Sequence, residues 1–166
     1  MSDITWGSFV VRININATAE KLYPLWSTEA GMESWFLRSC EYKRATRTDR
    51  DSDEPVQKGD TYVWRWHGYN DDVKEEGVIL DCNSKDYFKF SFGRAGDCIV
   101  TIKEEAGQTI VQLYQENIPD DERGKMVWHV GCKAGWSFYL ANLKSFCEGG
   151  IDLRNKDERL TNMLNS

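Results

Sequence analysis

Prolines number only three and histidines two, and no apolar run approaches the roughly 20 residues that span a bilayer. Few prolines leave regular elements uninterrupted, two histidines give little basis for imidazole catalysis or metal binding, and the short apolar runs argue against membrane insertion. The five cysteines, Cys40, Cys82, Cys98, Cys132 and Cys147, are odd in number and widely spaced, without a C-x-x-C pair or a partnered histidine pair. Neither a zinc site nor a disulfide framework is expected, and small buried thiols in a reducing compartment are the simpler reading. Met1 to Trp6 has neither the basic start nor the apolar stretch of a secretory signal, so a cytoplasmic location is expected. Basic residues do not cluster. With Lys plus Arg at 21 and Asp plus Glu at 27, the net charge of −6 repels phosphate backbones, and no nucleic-acid partner is expected.

What is present suits one folded domain of 166 residues, 40% hydrophobic and 29% charged. A chain of this size removes roughly 70% of its extended surface from water, enough to build a core without metal or disulfide. Aromatics are the outlier, at 13% with seven tryptophans.

Residues 8 to 15 are β-branched and partly alternating, which predicts a first strand ending near Asn16. Thr18 is a fitting N-cap for a helix carrying Leu22, Leu25 and Trp26 on one face, with Pro24 deep enough to keep it short or kinked. Ser27 or Thr28 caps a second short helix, weakened by Gly31, that sends Met32, Trp35 and Phe36 inward. From 38 to 117 the period becomes two, and six antiparallel strands are expected. Cys40, Tyr42 and Arg44 alternate in the first of these, and the mixed-charge stretch 46 to 58 reads as a long hydrated loop. Tyr62, Trp64 and Trp66 share the next inner row, then Val78, Leu80 and Cys82, then Phe88, Phe90 and Phe92, then Cys98, Val100 and Ile102, and finally Val111 and Leu113. Beyond Pro119, Trp128, Cys132, Trp136, Leu140, Leu143 and Cys147 recur at helical spacing over some six turns, until Gly149 and Gly150 stop the helix. The tail beyond it suggests one helical turn around Leu160, Met163 and Leu164.

One strand, two short helices, six more strands and a long amphipathic helix make an α+β domain in which one sheet face must be covered. Only the last helix is long enough. About 25 residues at 1.5 Å each give a rod of roughly 37 Å, longer than the sheet is wide at about 4.8 Å per strand, so the sheet must curl around it. A curved sheet on a rod, with large rings facing inward, leaves room for a pocket; the same aromatic stripes also build a plain filled core.

The order of elements, with Ile-Asn-Ile-Asn-Ala-Thr-Ala-Glu-Lys-Leu-Tyr-Pro-Leu-Trp at 13 to 26, Trp35-Phe36, Gly-Asp-Thr-Tyr-Val-Trp-Arg-Trp at 59 to 66, Phe-Lys-Phe-Ser-Phe at 88 to 92, and His129 followed by Gly135-Trp136 and Leu140 to Leu143, resembles the START-like superfamily. Within it the chain is similar to the branch named for the activator of the ninety-kilodalton heat-shock protein ATPase. The resemblance covers roughly residues 8 to 153, and implies a helix-grip fold of about seven antiparallel strands wrapped on the C-terminal helix. It divides the chain into a START-like domain, 1–153, and a tail, 154–166. It also implies a hydrophobic cavity and, as in many relatives, binding of a lipid or other small hydrophobic ligand.

The expected ligand-binding pocket comprises Trp26, Trp35, Tyr62, Trp64, Trp66, Phe88, Phe90, Phe92, Val100, Leu113, His129, Trp136 and Leu140. His129, at the start of the long helix, is read either as a headgroup partner at the pocket mouth or as a satisfied first-turn residue. His67 should face solvent, and Arg44 and Arg65 either face outward or enter the cavity to meet an anionic headgroup. No catalytic residue, metal or cofactor is assigned. Three functions remain open: binding a small hydrophobic ligand, docking with a chaperone, and cyclase or hydrolase chemistry on an apolar substrate. The sequence leaves the oligomeric state undecided, although strand edges near 8–15 and 38–46 are free to pair between copies.

Overall fold

The computed structural model describes residues 4–164. Seven strands, β1 (Phe9–Asn14), β2 (Ser39–Lys43), β3 (Thr61–Arg65), β4 (Lys74–Cys82), β5 (Tyr87–Ser91), β6 (Asp97–Glu105) and β7 (Gln108–Glu116), form one antiparallel sheet in the order β1-β7-β6-β5-β4-β3-β2. Two short helices, α1 (Ala19–Ser27) and α2 (Glu29–Trp35), follow β1, and the terminal helix α3 (Gly131–Cys147) packs against β1 and α2 on the concave face. The α+β helix-grip arrangement is that of the sequence reading.

Local chemistry explains the helix ends. Thr18 caps α1 by accepting the Lys21 amide, and Thr28 caps α2 by accepting the Gly31 amide at 3.0 Å. Pro24 sits inside α1, which ends three residues later, and its carbonyl accepts both the Thr28 amide and the Thr28 hydroxyl. Gly31 is more than a weak helix residue: a Cβ there would lie 2.1 Å from the Pro24 carbonyl oxygen, so its missing side chain lets α1 and α2 touch.

In β4, Ile79 is buried and Val78 is 38% exposed, so the inward row begins Glu75, Gly77, Ile79 and not at Val78. A register shift between Ile79 and Asp81 then turns Cys82 back toward the interior. The bulge is why a period-two reading anchored on Cys82 has the wrong phase upstream. The 46–58 stretch is not merely hydrated. Arg50 pairs with Asp60 and Glu54, Val56 is fully buried, and the amides of Ala30 and Val56 bond to Ser52 and Ser27 carbonyls, which ties the loop to both short helices.

The long helix differs at its start. Gly124–Val130 winds as a π-helix before α3, with the Gly131 amide donating to the Met126 carbonyl five residues back. This wider winding moves successive side chains off the four-residue stripe that the sequence suggests.

After Gly149 the chain carries no helix among the described residues, and Leu160, Met163 and Leu164 are exposed. Arg154 nevertheless is buried, and its guanidinium donates to the carbonyls of Glu33, Ser34 and Leu37 at the end of α2 while pairing with Asp152 at 2.8 Å. Partial burial pushes the Asp152 carboxyl up, but hydrogen bonds from Arg154 and Lys156 and the Arg154 amide outweigh it and hold the group below the usual carboxylate range. The folded state thus releases this proton more readily than the unfolded chain. The interaction supports the fold at neutral pH and is withdrawn as acidity increases from about pH 4 downward. Asp152→Asn is expected to lower Tm at pH 7 and to show a deficit that shrinks steadily as the pH falls below about 4 without closing by about pH 2, checked by melts across that range; an equal deficit at every pH would rule the carboxylate out.

Candidate functional site

The space between sheet and helix is divided. Its central level is filled by rings: Trp26 against Trp35 at 4.6 Å between centroids, Phe36 stacked on Trp136 at 5.0 Å, and Trp64 edge-on to Phe90 at 5.0 Å. Among the expected pocket residues, Trp26, Trp35, Tyr62, Trp64, Phe88, Phe90, Val100, Leu113 and Leu140 lie here, each essentially inaccessible, and they serve as the packed core that supports the site.

At one end the filling stops, leaving a groove of about 290 Å³. Trp66, Phe92 and Trp136, three of the expected residues, line it together with Phe36 and Tyr139. Its rim is Tyr69, Val73 and Val127, each 37–44% exposed. Cys132 and the backbone of Gly131 and Gly135 complete the helix side. Gly135 is decisive for the hollow: a Cβ built there meets no atom within 4 Å, and one at Gly131 meets only the Met126 carbonyl at 3.7 Å. Two missing side chains, one helical turn apart on the groove-facing side of α3, leave this volume open.

Beneath the groove, buried Gln115 fixes the Trp136 indole. The Trp136 Nε1–H donates to Gln115 Oε1 at 3.0 Å, and the Gln115 amide donates to the Ala95 carbonyl at 2.9 Å. The Cys98 thiol also donates to Gln115 Oε1. Burial pushes the Cys98 and Cys132 thiols above their ordinary range, so both stay protonated at neutral pH. All five cysteines are free.

His129 is placed away from the groove, which corrects its assignment to the pocket and its reading as a headgroup partner and leaves the other reading, a satisfied first-turn residue. Its ring stands edge-on to Trp6 and Phe9, with Nδ1 2.8 Å from the Trp6 carbonyl, because the π winding turns it toward β1. Arg65 pairs with Glu41 and Arg44 with Glu54, so both stay outside the cavity. His67 is half-buried and not solvent-facing; burial, then Arg154 and Lys156, hold it below its ordinary range. A second depression, about 610 Å³, lies at the opposite end between Asn14, Lys21, Gln108 and Glu148, and its walls mix polar and apolar groups without a single aromatic ring.

The residues that sequence reasoning missed have readable and unreadable parts. Gly131 and Gly135 stand four apart inside an apolar stripe, a gap visible in the sequence. Tyr69 and Val73 come from a turn, Val127 depends on the π winding, and Glu75, whose charge acts on the groove-lining Cys132 thiol, depends on the phase of β4. Burial, opposed by the Glu76 amide, holds the Glu75 carboxyl above its usual range.

Residues 16–148 match the family model described as activator of Hsp90 ATPase homolog 1-like protein. No curated protein matches the sequence. Among solved structures, a Staphylococcus saprophyticus protein shares 18% identity at a TM-score of 0.68, covering 89% of this chain and 96% of its own. The Aha1 dimer from Colwellia psychrerythraea shares 17% at 0.66, covering 86% and 97%. CalU16 from Micromonospora echinospora shares 17% at 0.60, covering 84% and 75%. At such identities these likenesses concern the fold alone. Among the described residues, no helix is long and apolar enough to cross a membrane.

Proposed function

The chain belongs to the family of activator of Hsp90 ATPase homolog 1-like proteins, and from that premise we propose that it binds a small hydrophobic molecule in the groove between the β3–β4 connection, the end of β5 and the start of α3. The observation that carries this reading is the open volume over Gly135, walled by six aromatic rings. Helix-interior glycine costs about 1 kcal/mol relative to alanine, so two of them facing an empty space favour a space with a use over a packing accident. At about 290 Å³ the groove is at the small end of the roughly 300–1,000 Å³ that hold small molecules, which suits a ring system or short chain over a whole lipid. Burying some 300 Å² of apolar ligand surface is worth roughly 7 kcal/mol before association costs, enough for micromolar binding.

Gly135→Leu tests it. The new Cβ meets no atom within 4 Å and the rest of the side chain occupies the groove, so the variant is expected to melt at or above the parent's Tm while affinity for a bicyclic aromatic probe falls by about tenfold or more, read by calorimetry. Unchanged affinity in a folded variant rules the groove out.

A second reading, docking to a chaperone, draws on the exposed side chains Met126 (63%), Val127 (44%) and Val130 (43%) along the π segment. Its test is stimulation of a heat-shock ATPase by the purified protein, lost in Met126→Ser with Val130→Ser; no stimulation removes it.

A further inference from the structure

One charged group beside the groove has no use in a purely apolar site. Glu75 pairs in register with buried Trp64 and lies two residues beyond Val73, so its side chain shares the concave face with the groove rim. The carboxylate rests over Gly93, where a Cβ would stand 2.5 Å from Oε1 and 3.0 Å from Cδ. Gly93 directly follows Phe92, a groove wall whose ring lies 5.7 Å from that of Trp136. Lys74 and Glu76, its neighbours in sequence, pair with each other at 2.6 Å, and Glu75 has no ion-pair partner among the described residues. No residue lining the groove is basic.

Resting on the ligand-binding reading above, we propose that the groove selects an apolar amine, its ring system among Trp66, Phe92 and Trp136 and its ammonium group directed to the Glu75 carboxylate. A half-buried carboxylate without a cation is poorly solvated, and an ammonium donor supplies the charge-assisted hydrogen bonds it lacks. Aromatic faces around the same volume add cation–π attraction. A ligand carboxylate would meet repulsion from Glu75 in the same place, and a neutral ligand would leave Glu75 as it is.

The test compares 2-naphthylmethylamine, 2-naphthylmethanol and 2-naphthoate, titrated calorimetrically into the parent protein and Glu75→Gln at neutral pH. The amine is expected to bind the parent about tenfold tighter than the alcohol, with the carboxylate weakest, and Glu75→Gln to bring amine and alcohol within about twofold. Equal binding of amine and alcohol by the parent, or a preference that survives in Glu75→Gln, overturns the amine assignment and leaves the groove standing. Failure of all three probes to bind defeats groove and assignment together. Should Glu75→Gln unfold, the parent's amine-to-alcohol ratio still decides.

Discussion

Gly31→Ala is expected to destabilise the protein by roughly 3 kcal/mol or more, lowering Tm by roughly 6–12 °C for a domain of this size. On an exposed helix the same substitution stabilises, because alanine is the better helix former by up to about 1 kcal/mol. Here the sign reverses. The added methyl would stand 2.1 Å from the Pro24 carbonyl oxygen, 2.7 Å from Leu25 Cα and 2.7 Å from Thr28 Oγ1, two of them backbone positions that no rotamer change can clear. Relief requires α1 and α2 to separate, and that pulls apart Trp26 and Trp35, whose rings meet at 4.6 Å, and the Trp35 Nε1–H bond to the Leu25 carbonyl at 2.8 Å. Thermal melts of the two proteins decide it: a Tm equal to or above the parent's would show that the helices are not in that contact.

Asp60→Ala is expected to cost roughly 3 kcal/mol, the scale for removing one partner of a buried ion pair. Asp60 is 2% exposed, and its carboxylate accepts from the Arg50 guanidinium and from the Gln57 amide at 2.8 Å. The Arg50 side chain is itself only 9% exposed, so loss of Asp60 leaves a buried cation held by Glu54 alone, at 2.7 Å. Because the pair is shielded from solvent, the loss measured by urea unfolding should change little between low and high salt. A double variant, Arg50→Met with Asp60→Leu, should recover much of it, since both charges are then gone. A single variant as stable as the parent would return the 46–58 stretch to the status of a hydrated loop.

Much of the fold was legible in the residues. Thr18 announces the first helix start and the Ser27-Thr28 pair the second, the Phe88-Phe90-Phe92 row announces β5, and the spacing of Trp136, Leu140 and Leu143 announces the helix that the sheet grips. These signals are local, set by capping and by the periods of helix and strand. The site was less legible. Trp66, Phe92 and Trp136 were readable as inward aromatics, but so were Trp26, Trp64 and Phe90, and nothing in a period separates a ring that walls a groove from one that fills a core.

The sequence by itself determined the seven strands, the covering helix and an interior rich in rings, because periodicity and end signals act over a few residues. Only the tertiary structure decided where that interior stays open. The bulge in β4 shifts the phase so that Glu75 and Cys82 both face inward, the π winding moves His129 to β1 and Val127 to the rim, and Gly131 and Gly135 face a space that no other element enters. Whether a given side chain meets a neighbour or a void depends on residues distant in the chain, and a short-range pattern carries no record of that distance.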